Sequence, residues 1–202
     1  MDRGEETLDP RSVLSDLHDA VDSVFIALEN NDDWGLSGKR PDQYISDVVA
    51  DTAIHEFLRP LGYGILSEES EFLLPENILF PTVVVDPLDG STNASRGLPW
   101  FSTSLCAVDE EGPWVAVVAD LVSGDRYDAV RGWGARKNGE EIERNLCPDL
   151  ADSLVAVSGL PEKDLGWDQF RNLGSAALAL SLIHISEPTR PLYISYAVFC
   201  LK

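Results

Sequence analysis

The chain predicts an α/β protein in which helices and strands alternate around a layered sheet. Three observations carry this. Apolar residues recur at helical spacing near the N-terminus. Short β-branched runs fill the middle. Gly, Pro and Asn-Gly pairs punctuate the rest. With 202 residues and 44% hydrophobic content, a sizeable core is available and one domain, or at most two small ones, is expected.

Taken in order, Leu14, Leu17, Val21, Val24, Phe25 and Leu28 predict a first helix over about Pro10 to Glu29, ended by Asn30, Asn31 and Asp32. Residues 32–45 carry Gly35, Gly38 and Pro41 and read as a loop. A second helix is expected from Ser46 or Asp47, either of which can cap it, to about Leu58. Gly62 and Gly64 precede a short strand, Gly64 to Leu66. Thr82 to Val85 reads as a buried strand, Phe101 to Val108 as another, and Trp114 to Val122 pairs with Asp125 to Val130 across Ser123-Gly124. Gly132, Gly134 and Asn138-Gly139 mark turns, Leu154 to Val157 a last strand, and Asp168 to about Ala179 a third helix.

Asp and Glu number 35 against 15 Lys and Arg, a formal charge of −20. That balance opposes a nucleic-acid or anionic-membrane binder, which needs clustered cations. No apolar run approaches the roughly 20 residues of a membrane span, and the acidic N-terminus lacks signal-peptide features. Cys106, Cys147 and Cys200 are odd in number and widely spaced, so neither a disulfide framework nor a zinc site is expected and the cytoplasm is the default location. With only His18, His55 and His184, a His-rich metal centre is excluded.

The chemistry concentrates between Glu68 and Asn93. A strand runs into Asp86-Pro87-Leu88-Asp89-Gly90-Ser91-Thr92-Asn93. Two carboxylates aimed from the end of one strand, with the Leu88 carbonyl beside them, are hard oxygen donors suited to Mg²⁺. Gly90 permits close backbone approach, and the N–H groups of Gly90 and Ser91 can cradle a phosphate oxygen. Glu68 and Glu69 also follow a short strand, and can join Asp86 and Asp89 if the strands are neighbours.

This stretch resembles the inositol monophosphatase family of Mg²⁺-dependent, Li⁺-sensitive phosphomonoesterases. The Asp-Pro-(Ile/Leu/Val)-Asp-Gly-(Ser/Thr)-Thr-Asn signature is complete at Asp86 to Asn93, and Glu-Glu-Ser stands at Glu68 to Ser70. Family-like text continues at Gly97-Leu98-Pro99-Trp100, Ser104 to Val108, Ala129 to Ala135, Asn138-Gly139 and Arg171 to Leu178. The resemblance implies a layered α-β-α-β-α fold, incomplete here at its C-terminus. It implies hydrolysis of a small phosphorylated metabolite by a water activated by two or three Mg²⁺ ions, with no phosphoenzyme. It implies Glu68, Asp86, Asp89 and the Leu88 carbonyl as metal ligands, Gly90 and Ser91 as phosphate binders, the Ser91 hydroxyl as a water-orienting group and Glu69 as support for the water network. It also implies a homodimer for the full-length protein.

Two departures stand out. Where the family has Asp-x-Val-Thr-x-x-Asp, this chain has Asp47-Val48-Val49-Ala50-Asp51-Thr52-Ala53. Asp51 is the candidate partner of the nucleophilic water and Asp47 the alternative; four apart on a helix, they share one face. The family's C-terminal Trp-Asp motif, which supplies a further metal-binding Asp, has no counterpart, because Trp167-Asp168 lies on the wrong side of the Gly174-Ser175-Ala176-Ala177 helix. From Leu180 onward the residues resemble an in-frame translation of a sequencing adaptor and its flow-cell primer, with Pro191, Leu192 and Tyr193 at the variable index. Residues 1–179 are therefore expected to be the family-like portion and 180–202 a non-native tail. The fragment is expected to be nearly inactive.

Other residues read as structural. Trp100, Trp133 and Trp167 are packing aromatics, Cys106 is an inert buried thiol, Asp168 a helix cap, and His55 a polar helix-face residue. Two rivals remain. A haloacid-dehalogenase-type phosphatase needs Asp-x-Asp, and the Asp-x-x-Asp spacing with Pro87 inside disfavours it. A non-catalytic protein-binding member of the same fold is the other.

Overall fold

The computed structural model describes residues 8–70, 81–142, 149–157, 159 and 166–186. Helix α1 spans Pro10–Glu29. Pro10 at its start and Asp9 as N-cap, accepting from the Arg11 N–H at 3.0 Å, explain where it begins. Val13, Leu17, Ala20, Val21, Val24 and Leu28 form its buried stripe. Helix α2 spans Ile45–Leu58 and buries Ala50, Ile54 and Leu58. Its N-cap is Tyr44. Asp47 sits at the third helical position, where its carboxylate accepts the Tyr44 N–H at 2.8 Å. The expected capping role of Ser46 or Asp47 is corrected accordingly: Asp47 returns to the cap backbone from inside the first turn.

Strands β1 (Gly64–Ser67), β2 (Thr82–Asp89), β3 (Ser102–Asp109), β4 (Gly112–Asp120), β5 (Arg126–Val130), β6 (Gly134–Lys137) and β7 (Glu140–Glu141) form one seven-stranded sheet in sequence order. Only β1 and β2 are parallel; the remaining pairs are antiparallel. The short helix α3 (Ser91–Ser95) follows β2. Successive residues of β4 face opposite layers, as a pleat dictates. Val115, Val117 and Ala119 join α1 and α2 in the main core. Val118 packs with Tyr127, Ala177 and Leu178 on the other side. Helix α4 (Ala176–Ser186) covers that second face, giving helix, sheet and helix layers.

Three expectations are corrected. Strand β2 does not stop at Val85 but runs through Asp89, with a register shift between Asp86 and Asp89 that places them opposite Ser104 and Ser102. Residues 134–141 form a hairpin rather than turns alone; Asn138 (φ 52°) and Gly139 (φ 82°) supply its left-handed turn. Gln169–Arg171 is not the first turn of a helix but strand β9, parallel to β8 (Leu154–Ala156). Asp168 therefore caps no helix; its N–H joins the Ser153 carbonyl.

Cys106 is a buried free thiol whose pKa burial pushes up to about 12, as an inert core cysteine requires. Cys147, Cys200 and the tail beyond Ser186 lie outside the described residues. No helix among the described residues is long and apolar enough to cross a membrane.

Candidate functional site

The parallel pairing of β1 and β2 builds the site. Ser67 pairs with Val85, and the next N–H, that of Glu68, reaches the Val85 carbonyl at 3.1 Å. Glu68 and Asp86 thus leave adjacent strands at the same level. Burial comes first in holding the Asp86 carboxyl well above the usual carboxylate range, followed by the charges of Asp89, Glu68 and Glu69. Glu68 is raised by burial, then by Glu69 and Asp89, against a smaller lowering by Arg40. Among the described residues no ion pair neutralises Glu68, Asp86 or Asp89.

Such a donor set fits a hard divalent cation, because its mutual repulsion is what a cation removes. As the side chains stand, no group of three among the described residues is gathered into a metal-holding cluster. Asp89 is engaged elsewhere: its Oδ2 accepts the Ser175 hydroxyl and the Ala177 N–H, each at 2.7 Å.

Gly90 holds φ 90° as the cap of α3, a region that strains any residue bearing a Cβ. A Cβ here would also stand 3.0 Å from the Trp100 carbonyl and 3.1 Å from the Gly174 carbonyl. The turn is pinned further by Thr103, whose hydroxyl donates to the Pro87 carbonyl at 2.8 Å. The Asn93 amide donates to the carbonyls of Trp100 and Leu173, both at 2.8 Å. Gly90 and Ser91 therefore sit together at the mouth of α3, beside the carboxylates.

Helix α2 supplies the acids expected from its sequence and separates their roles. Asp47, only 2% exposed, lies close to the Ser91 hydroxyl. Burial raises its pKa to about 6, with Glu69 and Glu68 adding to the rise and the Tyr44 N–H and Ser91 opposing it. Asp51, the candidate favoured by the sequence, lies one turn further on and accepts the Ser67 hydroxyl at 2.5 Å. The structure thus brings Asp47, and not Asp51, to Ser91. The reason is position along the helix: the first turn abuts the loop after β2, the second turn abuts the end of β1.

His55, expected as a polar helix-face residue, is largely enclosed, its side chain 12% exposed. Its Nε2 lies 2.9 Å from the Ser70 hydroxyl and 3.6 Å from Asp51. Burial lowers its pKa against the pull of Asp51. Both neighbours meet the same ring nitrogen, so no Ser-His-Asp relay is formed.

Glu69 is bound by the 32–45 loop. Gln43 donates to its carboxylate at 2.5 Å, and Arg40 pairs with the same oxygen while also donating to the Glu69 carbonyl at 2.9 Å and the Glu68 carbonyl at 3.2 Å. A cleft of about 330 Å³ opens there, lined by Lys39, Arg40, Gln43, Asp51, Glu69 and Ser70. Sequence reasoning missed Arg40, Gln43, Ser102 and Ser175. Arg40 carried a usable signal as half of a Lys39-Arg40 pair in a loop of a strongly acidic chain. Ser175 lay within the family-like text but its target could be seen only in three dimensions.

Trp100 packs against Val118, Tyr127, Ala177 and Leu178, while Trp133 is 47% exposed beneath the Arg11 guanidinium at 5.5 Å. Trp167 meets Phe170 at 6.2 Å between ring centroids. None of the three reaches the carboxylates.

The model of the inositol monophosphatase family matches residues 64–196. The fructose-1,6-bisphosphatase/inositol-1-monophosphatase of Archaeoglobus fulgidus is 32% identical over 183 residues, covering 89% of this chain and 70% of that protein. The Nus factor SuhB of Pasteurella multocida is 32% identical over 174 residues, 77% of this chain and 64% of that protein. The solved extragenic suppressor protein suhB of Bartonella henselae superposes with a TM-score of 0.74 at 26% identity, covering 87% of this chain and 75% of that one.

Proposed function

Since the chain belongs to the inositol monophosphatase family, we propose that it hydrolyses a small phosphate monoester, an inositol monophosphate or a related sugar or nucleotide phosphate, with Mg²⁺ as cofactor and Li⁺ as an inhibitor. One observation supports this above the others: the charges of Glu68, Asp86 and Asp89 act on one another at the end of β1 and β2, no ion pair among the described residues neutralises them, and Ser91 and Asp47 lie close by. Glu68, Asp86, Asp89 and the Leu88 carbonyl are the residues that would hold the ions, which supply positive charge for the phosphate and the departing oxygen and acidity for a water.

The chain's own residues do the rest. The N–H groups of Gly90 and Ser91 bind phosphate oxygens. The Ser91 hydroxyl and Asp47 hold the attacking water, and the Asp47 carboxylate is placed to accept its proton. Asp47 thus takes the role first expected of Asp51, and Asp51 steadies the end of β1 through Ser67. Glu69, clamped by Arg40 and Gln43, supports the water network from behind.

The test is phosphate release from inositol 1-phosphate and from fructose 1,6-bisphosphate across a Mg²⁺ titration. Asp89→Asn is expected to abolish it, and retained Mg²⁺-dependent turnover by that variant would sink the reading. The similarity to proteins named Nus factor SuhB favours one second reading, a protein-binding role; a binding protein keeps its partner when Asp89→Asn is introduced. The net charge of −20 favours a protein partner over a nucleic acid.

For the C-terminal part we propose that residues 180–202 are foreign to the gene, and that the 202-residue chain is much less active than full-length relatives. Helix α4 runs on to Ser186 and the family match to residue 196, so the boundary needs a direct test. Re-sequencing across those codons provides it. A frame continuing past Ala179 into family-like sequence supports the proposal, and a genuine stop after Lys202 refutes it.

A further inference from the structure

The carboxylate of Asp89 faces two ways. One side belongs to the acid cluster with Asp86 and Glu68, whose charges act on one another. The other is held by the start of α4, where the Ser175 hydroxyl and the Ala177 N–H both end on Oδ2. Ser175 is in turn 3.1 Å from the Ser102 hydroxyl, and both serines are almost fully buried, at 1% and 0% exposure. Ser102 is the residue paired with Asp89 across β2 and β3. The same segment is clipped a second time. Asn93 holds the Leu173 carbonyl, and Gly174 lies so close to the Asn93 side chain that a Cβ there would stand 2.9 Å from its Nδ2. Residues 173–177 and 89–93 therefore interlock through hydrogen bonds and close contacts.

We propose that Ser175, with the first turn of α4, is a positioning residue for Asp89, and that docking of α4 and binding of a divalent cation are thermodynamically coupled. The inference rests on the reading of Asp89 as a cation ligand. Both donors engage Oδ2, so a cation taken up through Oδ1 keeps them in place. A carboxylate already fixed by two donors loses less rotamer freedom when it binds a cation. By reciprocity, a cation that fixes Asp89 favours the docked helix by the same factor.

Mn²⁺ serves as the probe, followed by electron paramagnetic resonance on the full 202-residue chain. Ser175→Ala is expected to weaken Mn²⁺ binding by about fivefold or more, the lower end of typical coupling between sites. Independently of any variant, saturating Mn²⁺ is expected to slow amide hydrogen exchange at residues 177–181 of the unaltered chain. Wild-type affinity in folded Ser175→Ala, alongside weakened binding in Asp89→Asn, overturns the inference and leaves the cation reading standing. Wild-type affinity in Asp89→Asn sinks the cation reading and the inference with it. If Ser175→Ala does not fold, exchange in the unaltered chain decides: protection at 177–181 indifferent to Mn²⁺ overturns the coupling.

Discussion

Replacing Gly90 by alanine tests the turn on which the phosphate cradle depends. Two costs can be read from the structure. At φ 90° a residue with a Cβ pays for left-handed geometry, about 1–2 kcal/mol. The new Cβ also meets the Trp100 carbonyl at 3.0 Å, the Gly174 carbonyl at 3.1 Å and the Phe101 Cβ at 3.3 Å. Two of these are backbone atoms that must shift, which adds about 1–3 kcal/mol of overpacking. The sum is about 2–5 kcal/mol, and at about 2–4 °C per kcal/mol for a chain of this size the melting temperature falls by about 4–20 °C. Gly124 is the control. It has φ 80° but open space around it, so Gly124→Ala carries the backbone cost alone, about 1–2 kcal/mol. The assay is thermal unfolding of both variants by circular dichroism. Equal melting temperatures of the two variants would mean that the close contacts around Gly90 cost nothing.

Other expectations follow from the same geometry. Asp47→Asn should lower kcat by about 100-fold or more with the thermal midpoint little changed, as loss of a proton acceptor does, while Asp51→Asn should chiefly lower the midpoint by weakening its bond to Ser67; steady-state kinetics and melting of both variants separate the roles, and equal kcat losses would refute the division. For Asp128, burial alone would raise the carboxyl, but His18, 3.6 Å away, and the hydrogen bond from Arg136 hold its pKa below the ordinary range. A depressed folded pKa gives stability that is fully present above the unfolded value of about 3.9 and is lost as pH falls through the folded one. The stability gap between wild type and Asp128→Asn should therefore shrink from pH 7 to pH 3 in denaturant titrations, and a constant gap would contradict it. Leu17→Ala, at a site with no solvent exposure in the main core, should cost about 2–5 kcal/mol in urea unfolding.

The parts legible in the sequence are those that local chemistry decides. The apolar stripe of α1 and the Pro10 start gave its limits directly. The Asp86 to Asn93 string announced a cation and phosphate site because few other uses explain two carboxylates, a glycine and hydroxyls in that order. Strand β2 was read too short because Asp86 and Pro87 count as strand breakers, and only the bulge opposite Ser104 and Ser102 lets the ladder continue. Strand β9 was hidden because Gln169, Phe170 and Arg171 are three exposed residues, too few for alternation to tell strand from helix; parallel pairing with β8 decides them. Asp47 and Asp51 share a helix face, so spacing could not choose between them. Their separation comes from which neighbouring strand end each turn of α2 meets.

The Asn93 amide has a consequence for the order of events during synthesis. Its partner, the Leu173 carbonyl, lies 80 residues further along the chain. A contact of that span is a late one, since loop closure must precede any gain from it, and the closure entropy grows only slowly with length. Strand β2 and its acids leave the ribosome long before Leu173 does. The nascent chain therefore carries an open loop after Asp89 until the last clasp arrives. Cleavage by a protease during translation would fall in that interval, and completion of the clasp marks its end.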